Sequence, residues 1–503
     1  MRKRALGLLL AVFLLISLQT ASASTFSMAG FDGQDSSHDW NTNTFFVRME
    51  EKTGVSFTFD QYNDFEKWQS AKQGMAASGV LPDVLFKASL SEAEQITYSK
   101  EGMLIDLLPL LPEYAPNLWA LLQANPAWLA SITLPDGKIV ALPTINQLPP
   151  QNAMWINQTW LDTLELDAPT DFASLEQVLT AFLNDDPNRN GKKDEIPLTF
   201  IGPWDLKFLA HGFGLVANDY NIYVDDSGNV QFMPMQEPFI RFVQTLAAFY
   251  QESLLDKNGF TTADALRSIT DSEDDVVYGI LLGPNPYNLL TVDLGEQYTL
   301  LMPFTYEGKQ IYRDLFGPVT GGAFAITSAC SDPGTMLNWI DILYTQAGAI
   351  EAMAGIQGQD YTMDSEGLWD YAVDLQTESS YILYDLSIYD SGTMPWLFPQ
   401  DFYAAYSLDS LRSITQGLMD FQSYIVSPFP DYYVLSEEQH KAIDPLQLAL
   451  GKYVDESIAE FMLGEKDIHS ENDIQSFYDG LLERGVQEFL TLWQSVYDQQ
   501  VIR

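Results

Sequence analysis

The chain has 503 residues, 46% of them hydrophobic, and a formal net charge of −44 from 69 acidic against 25 basic residues. A field of that sign repels nucleic acid and anionic membranes; it argues mildly against polyanionic ligands, although a local pocket can override the global sign. The lone Cys330 excludes an internal disulfide framework, and at ~150 residues per unit the length suits two to four units.

Residues 1–23 have the parts of a secretory signal: Arg2, Lys3 and Arg4, an apolar run from Ala5 to Leu18, and the small-residue exit Ala21-Ser22-Ala23. Its removal brings the formal charge from −44 to about −47. The run is shorter than the ~20 residues of a membrane span. The predicted product is exported and soluble, extracellular or periplasmic, with no lipid-attachment cysteine at the exit.

Thr25 to Gly30 is a predicted strand, followed by an amphipathic helix over Thr44–Lys52 and an alternating strand over Val55–Phe59. A helix over Asp64–Ser78 ends at Gly79 and leads into the apolar run Pro82–Phe86, which suits a buried parallel strand. Pro135-Asp136-Gly137-Lys138 is a turn by composition, and Ile139–Pro143 continues as a strand. The pattern persists through a strand at Met154–Ile156, helices at Gln158–Leu164 and Phe172–Phe182, and a strand at Leu198–Ile201 running into a Gly-Pro loop. Helix Phe239–Ser253, strand Val276–Leu282 and a wholly helical ending from Ser436 complete an α/β reading with no internal repeat.

Between the helix ending at Phe182 and the strand at Leu198 lies the most specific stretch, Asp186-Pro-Asn-Arg-Asn-Gly-Lys-Lys-Asp-Glu195. Oxygen side chains recur at Asp186, Asn188 and Asn190, Gly191 allows the reversal, and Lys192 offers a carbonyl. Hard cations take six to eight oxygens at roughly 2.3 to 2.6 Å, and this alternation aims such groups at one centre. An EF-hand would close with a Glu where this chain has Pro197, so closure falls to Asp194 and Glu195. The alternative is a solvated Asn/Gly turn.

Ala77-Ser78-Gly79-Val80-Leu81-Pro82-Asp83, Glu101 to Leu107, Pro135 to Pro143, Trp160-Leu161 through Pro169-Thr170, Gly321 to Thr327 and Gly485 to Asp498 together resemble, in order, one family. It is the extracellular solute-binding proteins of bacterial ABC-type sugar importers (family 1), in the calcium-loop subgroup similar to alginate-oligosaccharide binding proteins. The resemblance implies a two-lobed, periplasmic-binding-protein-like (type II) α/β fold with a hinge and an interlobe cleft. Lobe one would take 24–143 plus 318–393, and lobe two 144–317 plus 394–503. Hinge crossings would fall near Pro143–Asn146, Gly317–Gly321 and Gly392–Pro395, where Gly and Pro permit closure. It also implies a structural calcium held by Asp186, Asn188, Asn190, Asp194, Glu195 and the Lys192 carbonyl. The implied function is an oligosaccharide receptor, a monomer, delivering its ligand to the permease subunits of an ABC transporter. Members of Gram-positive origin usually carry a lipobox cysteine; Ala-Ser-Ala stands here instead.

Sugars combine polar rims with apolar C–H faces, so their sites pair aromatic platforms with polar side chains. Trp204, after a strand end, is the best platform candidate; the alternative is an ordinary core Trp. Trp40, Asn41, Lys87, Gln147, Asn285, Tyr287 and Trp396 fall on segments that the resemblance places at the cleft, and each equally suits a residue with no ligand contact. Catalysis has little support. His38, His211, His440 and His469 form no His-x-x-x-His pair, and there is no Gly-x-Ser-x-Gly elbow or phosphate loop. The rivals are a secreted glycoside hydrolase, which needs only two carboxylates ~5 to 9.5 Å apart, and a sugar sensor for a membrane receptor.

Overall fold

The computed structural model describes residues 24–260, 276–315, 317–373, 385–389, 393–430 and 433–501. The expected export segment 1–23, and Gly392 of the expected third hinge, lie outside the described residues. Two sheets organise the chain. The first has the order Val55–Tyr62, Ser24–Phe31, Val84–Phe86, Val319–Ile326, Leu142–Ile145. Its first three strands are parallel, with Ser24 against Val55 and Met28 against Val84, and the last two join antiparallel.

Local signals set these crossovers. Asn43 accepts from the Phe45 N–H to start helix Thr44–Thr53, and Gly54, left-handed at φ 70, ends it. Asp64 and Gly79 do the same for Phe65–Ser78. Side chains alternate across the sheet, as strand geometry requires. Phe26, Met28, Phe86, Phe324 and Ile326 enter one core, while Ala29, Leu85 and Ala325 enter the other. The strand Val319–Ile326 bulges at Gly322, where φ is 76 and an added Cβ would lie 2.1 Å from the Leu90 carbonyl oxygen. That close approach lets Ala88 and Leu90 donate to Ala323 and Gly322, carrying the chain along the strand to Ser91.

The second sheet runs Tyr298–Leu301, Ala153–Asn157, Tyr278–Gly283, Ile196–Leu198. All five residues of Ala153–Asn157 are buried. Helices Phe172–Asn184, Glu237–Gln251, Glu437–Leu463, Glu471–Glu483 and Val486–Val501 contribute to one large core with it. No helix among the described residues is long and apolar enough to cross a membrane.

Among the described residues the chain passes between the sheets three times. Residues 146–152 leave Leu142–Ile145 for Ala153–Asn157, and 302–315 with 317–318 return towards Val319, with Asn146 donating to the Pro318 carbonyl at 2.8 Å. The third passage falls later than Gly392–Pro395. Ile145 donates to the Trp396 carbonyl and accepts from Phe398, both at 2.8 Å, so this segment extends the first lobe. Met394, Trp396, Phe402 and Tyr406 are buried in the first core, against the division at 393. Helix Asp409–Phe421 makes the passage: Leu411 packs on the first core, Ile414 and Leu418 on the second, and Phe421 is buried in the second.

Candidate functional site

The strand Ile196–Leu198 is shorter than the predicted Leu198–Ile201, and Gly202–Lys207 is a helix rather than a loop. Pro203 fits the first turn because it has no N–H to satisfy. The buried Asp205 carboxylate accepts from the Ile201 N–H at 2.6 Å and from Asn152 Nδ2, on the first crossing, at 2.9 Å. Burial pushes the Asp205 carboxyl up to about 6, against those two hydrogen bonds. The short helix is thereby tied to the crossing. Trp204 remains 37% exposed, its ring edge-on to Phe208 at 5.0 Å and its Nε1 donating to Asp219 at 2.9 Å. The Arg313 guanidinium lies 4.0 Å over the Phe208 ring and pairs with Asp219.

A cavity of about 500 Å³ opens beside this group, between the lobes. Glu92 lines it from the first lobe, Asp219, His440 and Asp444 from the second, and Arg313 and Asp314 from the second crossing. Gln151 on the first crossing donates to Asp314 at 3.1 Å, so both crossings bear on its wall. A larger cavity, about 910 Å³, lies between helix Pro126–Ser131 and the two helices Glu437–Leu463 and Val486–Val501. No crossing residue lines it. The smaller one has the polar groups and the nearby exposed aromatic that small-molecule sites at domain interfaces require.

None of the eight predicted ligand residues lines that cavity directly, and Trp204 borders it only through Asp219. Three are buried and, against expectation, present no surface to the cleft. Trp40 packs among Phe46, Phe59 and Phe86, with Nε1 donating to Asp32 Oδ1 at 2.9 Å. Lys87 is fully buried, its Nζ 2.9 Å from both the Asp32 carbonyl and Asp32 Oδ1. Trp396 is covered by Tyr389, stacked at 4.9 Å, and it is Tyr389 that is exposed. Asn41 and Gln147 are exposed; Asn285 and Tyr287 are half-buried, with the Tyr287 ring packed against Gly295.

In the loop from Asp186, the side chains curl inward around the backbone. Asp186 accepts from the Asn190 and Gly191 N–H groups at 3.1 Å, Asn188 Oδ1 accepts from the Asn190 N–H at 3.1 Å, and Asn190 Nδ2 donates to Asp194 Oδ1 at 3.1 Å. Gly191 has φ 72, which its position in the reversal requires. Glu195 is buried, and its Oε1 has no hydrogen-bond partner. Burial pushes its carboxyl up, with the charges of Asp194 and Asp186 adding to the effect. A buried, orphaned carboxylate oxygen fits a hard cation. Among the described residues no group of three or more His, Cys, Asp and Glu converges as a metal cluster, so Asn oxygens and a carbonyl would have to complete the donor set.

No protein-family model matches the chain. It is 26% identical over 494 residues to the fructooligosaccharide ABC transporter substrate-binding protein FusA of Streptococcus pneumoniae, covering 92% of this chain and 88% of that one. The solved structure of FusA in complex with kestose aligns at a TM-score of 0.74 and 23% identity, over 95% of this chain and 100% of that one. An HMO-binding, ABC-transporter-associated solute-binding protein from Bifidobacterium longum infantis aligns at a TM-score of 0.79 and 19% identity, over 94% of this chain and 98% of that one. The chain has the fold of the ABC-transporter substrate-binding proteins.

That fold was expected; most of the cavity wall was not. Glu92, Asp219, Arg313, Asp314 and Asp444 were missed because each lies far from the others in sequence and in no recognisable motif. The legible signals were indirect: Ser91 and Glu94 form a capping box that marks the start of helix Glu92–Lys100, and Ser436 with Gln439 does so for Glu437–Leu463. The start of the second helix lies along the first across the lobes, with His440 Nε2 3.7 Å from Glu92 at its beginning and Glu437 2.7 Å from Lys100 at its end.

Proposed function

We propose that the chain is an exported receptor that holds an oligosaccharide between its lobes and passes it unchanged to the permease subunits of an ABC importer. The observation that carries this is the interlobe cavity beside the exposed Trp204, where both crossings meet. FusA, similar along almost the whole chain, is named as a fructooligosaccharide transporter's binding protein, which supports the ligand class. Ligand that touches both lobes binds the closed form better than the open one, so binding shifts the population towards closure.

The test is thermal denaturation against a panel of oligosaccharides, followed by calorimetry and mass spectrometry of the recovered ligand. A bound sugar raises the melting temperature by mass action, and the sugar should return intact. Cleavage would favour the hydrolase, and an absence of binding across the panel would remove the receptor reading.

Calcium is the second part of the proposal. Asp186, Asn188, Asn190, Asp194, Glu195 and the Lys192 carbonyl would hold it, and the partnerless Glu195 Oε1 supports that donor set. Solved relatives include a FusA EF-hand mutant and the alginate-binding protein AlgQ2 without calcium ion. The ion would tie helix Phe172–Asn184 to strand Ile196–Leu198, a structural task remote from the cavity-lining residues. Chelation should lower the melting temperature, and Asp186→Ala should copy that effect while leaving sugar affinity nearly unchanged; an identical melting curve in both tests would remove the metal.

A further inference from the structure

We infer that the cleft excludes anionic sugars, so that its ligand is an oligosaccharide bearing no carboxylate, sulfate or phosphate. This rests on the proposal that the cleft is the sugar site. Four carboxylates line the cavity, Glu92, Asp219, Asp314 and Asp444, against the single guanidinium of Arg313. That guanidinium is largely out of reach: its side chain is 5% exposed, Nη2 pairs with Asp219, the group lies 4.0 Å over the Phe208 ring, and its partnerless Nε is buried. A ligand carboxylate approaching Nη2 would meet the charge of Asp219, which also accepts from Trp204 Nε1 at 2.9 Å.

The remaining groups do not restore balance. Asp314 accepts from an uncharged amide, Gln151 Nε2, at 3.1 Å. Asp444 and Glu92 flank one imidazole, His440, at 3.2 Å and 3.7 Å. Even with that ring protonated the wall carries more negative than positive charge. Like charges brought together in a cleft partly shielded from water repel far more strongly than in bulk solvent. The local sign therefore follows the chain's overall −44 and does not override it. Sugar hydroxyls, by contrast, are donors, and carboxylates accept from them in charge-assisted hydrogen bonds. The wall suits a neutral polyol and offers a sugar acid little positive charge.

The experiment is calorimetry of the purified protein at pH 7 against two sets: neutral fructo-, gluco- and galacto-oligosaccharides, and oligogalacturonate, oligoalginate and sulfated oligosaccharides. The expected result is that a neutral sugar binds and every anionic one binds at least ~100-fold more weakly, about 2.7 kcal/mol. The double variant Asp314→Asn, Asp444→Asn should narrow that gap about tenfold or more, which a purely steric preference would not do. Both side chains are at least partly exposed, so the variant should fold. An anionic sugar binding as tightly as the best neutral one overturns this inference and leaves the oligosaccharide-receptor reading standing. A gap unmoved in the double variant overturns the charge argument. Binding by neither set overturns the receptor reading, and the inference falls with it.

Discussion

Each lobe places an aromatic side chain and a charged partner just beyond a strand of its own sheet, and the two arrangements come out opposite. In the first lobe, Asp32 follows strand Ser24–Phe31 and gathers buried Lys87, His38 and Trp40, with half-buried Ser36 at the edge of the network. Burial alone would push the Asp32 carboxyl up, yet the hydrogen bond from His38 and the charge of Lys87 hold it well below the ordinary carboxylate range. In the second lobe, Asp219 gathers Trp204 and Arg313, but Trp204 and Asp219 remain open to the cleft. The same residue chemistry thus serves as internal structure on one side and as surface on the other. What separates them is whether another segment covers the strand end: residues 385–389 close over Lys87, whose Nζ reaches the Ile388 carbonyl at 3.5 Å.

The largest expected effect sharpens this contrast. Lys87→Met leaves Asp32 without its buried cation and should destabilise the protein by about 3 to 5 kcal/mol in urea denaturation, the range for breaking a buried pair from one side. Asp32→Asn added to it should recover much of the loss. A cost under about 1 kcal/mol would show that water reaches the network and that the two lobes do not differ in this way.

The next effect is a pH dependence inside the second lobe. Buried His211 donates from Nδ1 to the Phe208 carbonyl at 2.7 Å and accepts from the Phe304 N–H at 2.9 Å. Burial pushes its pKa down to about 4, so its contribution is present above pH 6.5 and is lost as pH falls through 4. Asp205, raised from 3.8 to about 6, works in the other direction: its contribution is present below pH 3.8 and is lost as pH rises through 6. Each amounts to about 3 kcal/mol, and in the wild type the two nearly offset one another between pH 4 and 6. Asp205→Asn should therefore lose about 3 kcal/mol relative to wild type on going from pH 6 to 4, read from urea midpoints. Parallel pH profiles would mean that Asp205 is hydrated and the Trp204 helix is not pinned as described.

Most of the fold was legible before the structure because strand, helix and turn signals are local. Asp64, Asp171 and Ser436 cap helices where the sequence placed their starts, and Gly79 ends the first of them. The cleft was not, because exposure is a property of what covers a residue. Trp40, Trp204 and Trp396 carry equivalent local signals, yet Phe46, Phe59 and Phe86 enclose the first and Tyr389 covers the last. The third crossing was misplaced for the same reason. Gly and Pro mark where a chain can bend, whereas the pairing of Ile145 with Trp396 and Phe398 decides where the lobe ends.

A smaller effect breaks the comparison at its open end. Trp204→Ala should weaken the best oligosaccharide by about 1 to 3 kcal/mol in calorimetry, the range for losing a large apolar contact. Folding should hardly change, because a side chain already more than a third exposed has less burial to lose. Full affinity in that variant would leave the second lobe's aromatic as idle as Trp40.

The smallest effect concerns the contacts that join the two lobes. Lys100 on helix Glu92–Lys100 pairs at 2.7 Å with Glu437, at the start of helix Glu437–Leu463, and both side chains are more than half exposed. An exposed pair contributes little to folding and is screened by salt. This one spans the lobes, so it acts on the balance between open and closed forms rather than on either core. Lys100→Ala should leave the melting temperature unchanged within about a degree and lower apparent sugar affinity by less than about five-fold at low salt. At 0.5 M NaCl that difference should vanish, because the screening length falls to a few ångströms. A melting temperature lowered by many degrees would show instead that the lobes fold as one unit, and that their contrasting strand ends cannot be perturbed independently.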